Sequence, residues 1–148
     1  MYLMHKDFYA SGFLYHPRSQ QILLQQSTDP SDQQKWTLFE GKRLLDESSE
    51  IAFKRIALEV LNIRLSLSSV HPVYEYFHSQ KGRNQSITYG EVKTQKKFTV
   101  SKGRLFGWFT FRQIARLGLS EQTKQDLTVG QRVIDSALRK SLGQRTIG

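Results

Sequence analysis

The 148-residue chain has no cysteine. Disulfides, thiolate metal centres and a cysteine nucleophile are therefore excluded, and a small disulfide-stapled secreted scaffold is disfavoured. Long apolar runs are also missing. The most extended, Leu105 to Phe111, has seven residues, whereas a membrane-spanning helix needs roughly 20. The N-terminus, M-Y-L-M-H-K-D-F-Y, lacks the basic-then-apolar order of a secretory leader. These features predict a cytoplasmic protein with no membrane segment. Only three prolines occur, and no low-complexity tract or internal repeat divides the chain, so residues 1–148 read as a single domain. Several sequence motifs are absent as well: the phosphate loop G-x-x-x-x-G-K-[ST], H-E-x-x-H, G-x-S-x-G and G-x-G-x-x-G. The four histidines, His5, His16, His71 and His78, lack metal-ligand spacing.

What is present is an ordinary apolar fraction of 38% and an uneven charge. Residues 1–70 hold 8 basic and 8 acidic side chains; residues 71–148 hold 14 and 5, so the whole net charge of +9 lies in the second half. Such a field draws polyanions and also aids solubility. Lys93, Lys96, Lys97, Lys102 and Arg104 surround Phe98, a basic set with an aromatic for base stacking or, equally, a lysine-protected strand edge.

Periodicity predicts strands over Phe8–Tyr15, Ile22–Leu24 and Trp36–Phe39, with a turn at His16–Ser19 and a loop at Ser27–Gln34. Ser48 or Ser49 caps a helix that runs to Leu61, Glu50 complements its dipole, and Asn62 suits the left-handed stop. Ala52, Ile56 and Val60 share one helix row, and Phe53, Ala57 and Leu61 the next. Arg55 and Glu59 stand four apart and can pair. Val73–Phe77 and Ile87–Val92 flank a connection at Ser79–Gln85. Phe98–Val100 and Leu105–Phe111 flank a second one at Ser101–Arg104. Thr128 is expected to cap a last helix ending at Gly143. The sum is a layered α+β domain.

The segment W-T-L-F-E-G-K-R-L-L-D-E-S-S-E-I-A-F-K-R-I-A-L-E-V-L-N-I, from Trp36 to Ile63, carries chemistry by its spacing. Gly41, Glu47, Arg55, Glu59 and Ile63 fall at the offsets of G-x5-E-x7-R-E-U-x-E-E-x-G-U, where U is aliphatic. The segment thus resembles the box of the Nudix (MutT-like) hydrolase superfamily, with the box at 41–63. The resemblance implies an α/β/α sandwich around a mixed sheet. It also implies hydrolysis, assisted by Mg²⁺ or Mn²⁺, of a nucleoside diphosphate linked to another group. Gly41, Glu47 and Arg55 would shape the loop and tie it to the helix. Glu59, with the main-chain carbonyl of Glu40, would hold the ion, and Glu75 or Glu91 could add a ligand or base.

The departures bear on activity. Ile56 and Val60 stand where the box has glutamates, and Asn62 where it has glycine. Mg²⁺ requires oxygen ligands, commonly one or two carboxylates plus substrate phosphates, and aliphatic groups supply none. Two readings follow: a hydrolase with an impaired centre, or an inactive Nudix-fold module that binds a nucleotide or RNA. Tyr76, Phe77 and Trp108 are pocket or core aromatics in either case.

Overall fold

The computed structural model describes residues 8–31, 33–98 and 103–147, with side chains of the last helix as far as Gly143. Its centre is β1 (Phe8–His16), a strand of aromatic and small residues. β1 is flanked on one side by two antiparallel partners in succession. β2 (Gln21–Ser27) pairs at its far end, Leu14 opposite Leu23, and β4 (Phe39–Lys42) at its near end, Ala10 opposite Gly41. On the other side β6 (Arg83–Glu91) runs parallel to β1, from Phe8 opposite Asn84 to Tyr15 opposite Glu91, which makes the sheet mixed. β5 (Val70–His78) closes that edge, while β3 (Trp36–Thr37) and β7 (Arg104–Thr110) both pair with β2.

Alternation along β1 sends residues to two cores. Ala10 and Leu14 face α1 (Ser49–Leu61), which buries Ala52, Phe53, Ile56, Ala57 and Leu61. Phe13 and Tyr15 face the opposite layer, built from α2 (Phe111–Ile114) and α3 (Glu121–Ile147) through Ile114, Leu127 and Ile134. Helices thus cover both faces, and the expected α/β/α sandwich is the observed one. Gly12 permits the close approach of α1: a β-carbon there would stand 2.2 Å from the Thr88 carbonyl oxygen and 2.7 Å from the Phe53 ring. No described helix is long and apolar enough to cross a membrane.

Several expected boundaries move. The strand expected at Trp36–Phe39 is split, Leu38 separating β3 from β4. β5 and β6 extend toward each other, so their turn shortens to residues 79–82, with Gly82 at φ +63°. Phe98 is not in a strand, residues 99–102 lie outside the described residues, and β7 pairs with β2 from Thr110 opposite Gln21 to Arg104 opposite Ser27. Arg104 is therefore a strand residue and not part of a connection. Phe111 begins α2 because Thr110 and Gln113 form a reciprocal capping box. α3 begins seven residues before Thr128. Ser120 Oγ accepts the Thr123 N–H at 3.1 Å, while Thr128 is interior and its hydroxyl donates to the Lys124 carbonyl. The helix also continues through Gly143, which costs only about 1 kcal/mol relative to alanine.

Candidate functional site

The loop from Lys42 to Ser48 and the start of α1 form a closed polar knot. Ser48 Oγ accepts the Ile51 N–H at 3.1 Å, fixing the first turn. Glu47 Oε1 accepts the Leu44 N–H at 2.8 Å and Arg55 Nη2 at 3.0 Å; Glu47 Oε2 accepts Arg55 Nε at 2.8 Å. The same guanidinium donates to the Lys42 carbonyl at 2.8 Å and, through Nη1, to Glu59 Oε1 at 3.1 Å. The Arg55 hydrogen bond holds the Glu47 carboxyl below its usual range, and Glu47 in turn raises Arg55. Both ends of α1 match expectation: Glu50 lies in the first turn, and Asn62 adopts φ 55°, ψ 38° with its N–H on the Leu58 carbonyl.

Ile56 is only 2% exposed and belongs to the core under α1. Its Cδ1 and Cγ1 lie 3.0 Å from where a β-carbon on Gly41 would stand. Val60 packs against the same core. The side chain of Glu40 leaves the box altogether. It accepts from Arg83 Nη2 and, at 2.8 Å, from Gln85 Nε2, with Lys81 Nζ at 3.9 Å. Arg83 also lies over the Tyr9 ring, 3.7 Å from its centroid.

The residues expected to hold a metal fit a dication poorly. Glu59 Oε1 is engaged by Arg55, the Glu40 side chain turns to Arg83 and Gln85 and leaves only the main-chain carbonyl of that residue, and Ile56 and Val60 supply no oxygen, so the box offers a single carboxylate. Among the described residues no group of three or more histidine, cysteine, aspartate or glutamate side chains is placed to bind one. Glu91 is paired with His71 Nε2 at 3.2 Å, and Glu75 is exposed on β5.

A cavity of 710 Å³ opens on the α3 face of the sheet. Ser11, Glu40, Tyr76, Gln85, Gln122 and Asp126 line it, Lys35, Lys81 and Arg104 are the cations among its walls, and no residue of α1 takes part. Asp126, 4% exposed, accepts the Tyr74 hydroxyl at 2.7 Å, Gln122 Nε2 at 3.0 Å and the Tyr76 hydroxyl at 3.2 Å. Burial raises its carboxyl above the ordinary value, and burial next to Asp126 raises both tyrosines.

Sequence reading missed Asp126 and Tyr74. Tyr74 and Tyr76 share a face, a signal available from their spacing, but a register shift between Pro72 and Tyr74 determines which face that is.

Other expected site residues have structural partners. Phe98 packs on Phe106 (centroids 5.7 Å apart) and against the α1 core, so it is not a free stacking platform; Lys96 Nζ lies 5.8 Å from its centroid. Trp108 donates Nε1–H to the Lys96 carbonyl at 2.8 Å. Phe77 is 60% exposed. His16 accepts from the Ser19 N–H at Nδ1, which leaves Nε2–H to donate to the Lys93 carbonyl. His5 and Lys102 lie outside the described residues.

This architecture is the Nudix fold, and similarity to solved structures bears that out. A MutT/Nudix family protein from Listeria innocua superposes with a TM-score of 0.67 at 14% identity, over 89% of this chain and 96% of that one. The Nudix domain of NrtR from Shewanella oneidensis, solved with ADP-ribose, gives 0.64 at 15% identity over 86% of each chain. A MutT/Nudix family protein from Enterococcus faecalis gives 0.56 at 16% identity over 70% of this chain, which spans only 43% of that protein. No family model and no curated protein matches the chain by sequence. At these identities the likeness establishes the fold.

Proposed function

We propose that the chain is a Nudix-fold domain that binds a nucleotide-type ligand in the cavity on the α3 face, and that hydrolysis at the box has been given up. One observation carries this reading: Ile56 fills the space beneath Gly41 while Arg55, Glu47 and Glu59 satisfy one another. The frame of the box persists as a structural clamp, and the cavity is lined without it. Lys35, Lys81 and Arg104 supply positive charge for phosphates. The ADP-ribose held by the NrtR domain supports a ligand of this kind.

Removing one strong electrostatic contributor typically costs about 10²–10³ in rate. Losses within one centre do not simply multiply, so a second reading keeps weight: a slow Mg²⁺- or Mn²⁺-dependent hydrolase, favoured by the retained Gly41, Glu47, Arg55 and Glu59. Titration calorimetry with ADP-ribose, AMP and ADP in EDTA, beside a product-release assay with Mg²⁺ or Mn²⁺, separates the two. The expected result is binding without divalent ions and no product. Product release abolished by Glu59→Gln would establish the hydrolase instead, and absence of binding to every ligand would overturn the nucleotide-type reading.

A further inference from the structure

A second cavity, of 580 Å³, adjoins the first and shares Gln25, Lys35, Thr37 and Arg104 with it. Gln26, Ser27, Gln33 and Gly103 belong to the second cavity alone. The two form one groove that passes from the α3 side of β4 across β3 to the start of β7. Each part is of the size that takes a small organic ligand.

Three features of the junction point to what lies across it. First, Lys35 and Arg104 both line both cavities, and neither forms an ion pair among the described residues. The contrast with the cations nearer the box is direct: Arg55 and Arg83 are each bound to glutamate. Second, among the described residues that line the second cavity these two are cations and none is an acid, a set that attracts anions. Third, Gln25 donates Nε2–H to the Leu38 carbonyl at 3.0 Å, while its Oε1 is buried without a partner. A buried acceptor left unpaired is uncommon, and Gln25 is one of the four residues that line both cavities. Gln33 adds an amide-bearing side chain of the type that pairs with base edges, while Gln26 Nε2 donates to the Gln34 carbonyl.

We infer that the groove holds two linked nucleotides of a single strand: one in the first cavity, the joining phosphodiester at Lys35 and Arg104, and the second nucleoside beside Gln26 and Gln33. The inference rests on the nucleotide-type reading of the first cavity and extends it from a mononucleotide to the end of an oligonucleotide. A strand end suits the geometry because one anion must sit where both cavities meet. A lone mononucleotide leaves the second cavity and one of its cation contacts unused.

The test compares the 5′-phosphorylated diadenylate pApA with AMP by titration calorimetry in EDTA, on the full chain. pApA is expected to bind about tenfold more tightly than AMP, and its log Kd to depend on log salt more steeply by about 0.7 for the added phosphate. Gln33→Glu, which places a negative charge in the second cavity alone, is expected to reduce the preference for pApA over AMP to about threefold or less. Lys35→Gln is expected to remove the extra salt dependence. Equal affinity of the wild-type chain for pApA and AMP would overturn the inference while leaving the nucleotide reading in place. Failure of both to bind would overturn the two together. An undiminished preference in Gln33→Glu would show that the second nucleotide lies elsewhere and would likewise reject the assignment.

Discussion

Ile56 seats its Cδ1 and Cγ1 atoms 3.0 Å from the point a β-carbon on Gly41 would occupy. The strand residue that opens the box and the helix residue that replaces its first helix glutamate are thus a packing pair. The glycine serves here to admit an aliphatic side chain. Gly41→Ala is expected to cost about 1–3 kcal/mol by crowding this contact. The cost should be smaller in an Ile56→Val background, where Cδ1 is gone. Ile56→Ala is expected to lose about 2–5 kcal/mol. Urea unfolding of the single and double variants measures both, and additive costs for Gly41→Ala and Ile56→Val would refute the pairing.

The Glu47–Arg55 clamp should make stability depend on pH in a definite direction. The folded-state pKa of Glu47 is depressed by Arg55. Its contribution is therefore present above the ordinary carboxylate range and lost as pH falls through the folded value. Glu47→Gln is expected to lower stability by about 1–3 kcal/mol at neutral pH, and the gap from wild type to close in acid. Unfolding midpoints from neutral pH down to the acid range provide the check; a gap that does not narrow in acid would count against the ion pair.

Asp126 should act with the opposite sign. Burial raises its folded-state pKa, so the folded protein binds the proton more tightly than the unfolded chain. Its contribution favours the fold below the unfolded pKa and diminishes as pH rises through the folded value. Asp126→Asn should therefore compare progressively better with wild type as pH rises from the acid range to neutrality. Tyr76→Phe removes one of the hydroxyl donors to that carboxylate and is expected to cost about 1–3 kcal/mol at neutral pH. Thermal unfolding across pH measures each.

Asn62 ends α1 at φ 55°, in the region where a side chain other than asparagine or aspartate costs about 1–2 kcal/mol. Asn62→Ala is expected to destabilise by about that amount, and Asn62→Gly to be neutral or stabilising. Equal stability of the alanine and glycine variants, by urea unfolding, would contradict the left-handed cap.

The box helix was legible in the sequence because everything that shapes it is local. Ser48 bonds three residues ahead, Arg55 reaches Glu59 one turn on, and Asn62 stops the helix by its own backbone conformation. The reach of Arg55 back to Glu47 was carried by the family spacing. The end of α1 also explains one departure from the box, since asparagine adopts the conformation a glycine would. The start of α3 was misplaced because Ser120 and Thr128 are both competent caps, and burial of Leu127 on the sheet determines that Thr128 lies inside.

The sequence by itself determined the period of the strands, the caps and span of α1, the aliphatic character of positions 56 and 60, and the bias of positive charge to the second half. Tertiary structure alone decided that Ile56 lies beneath Gly41, that Glu40 turns to Arg83, and that Tyr74 and Tyr76 meet Asp126 some fifty residues away. The reason is physical. Helix caps and periodicity are set by neighbours within one or two turns, whereas these contacts depend on strand register and on a shift between Pro72 and Tyr74 that fixes which face each tyrosine presents.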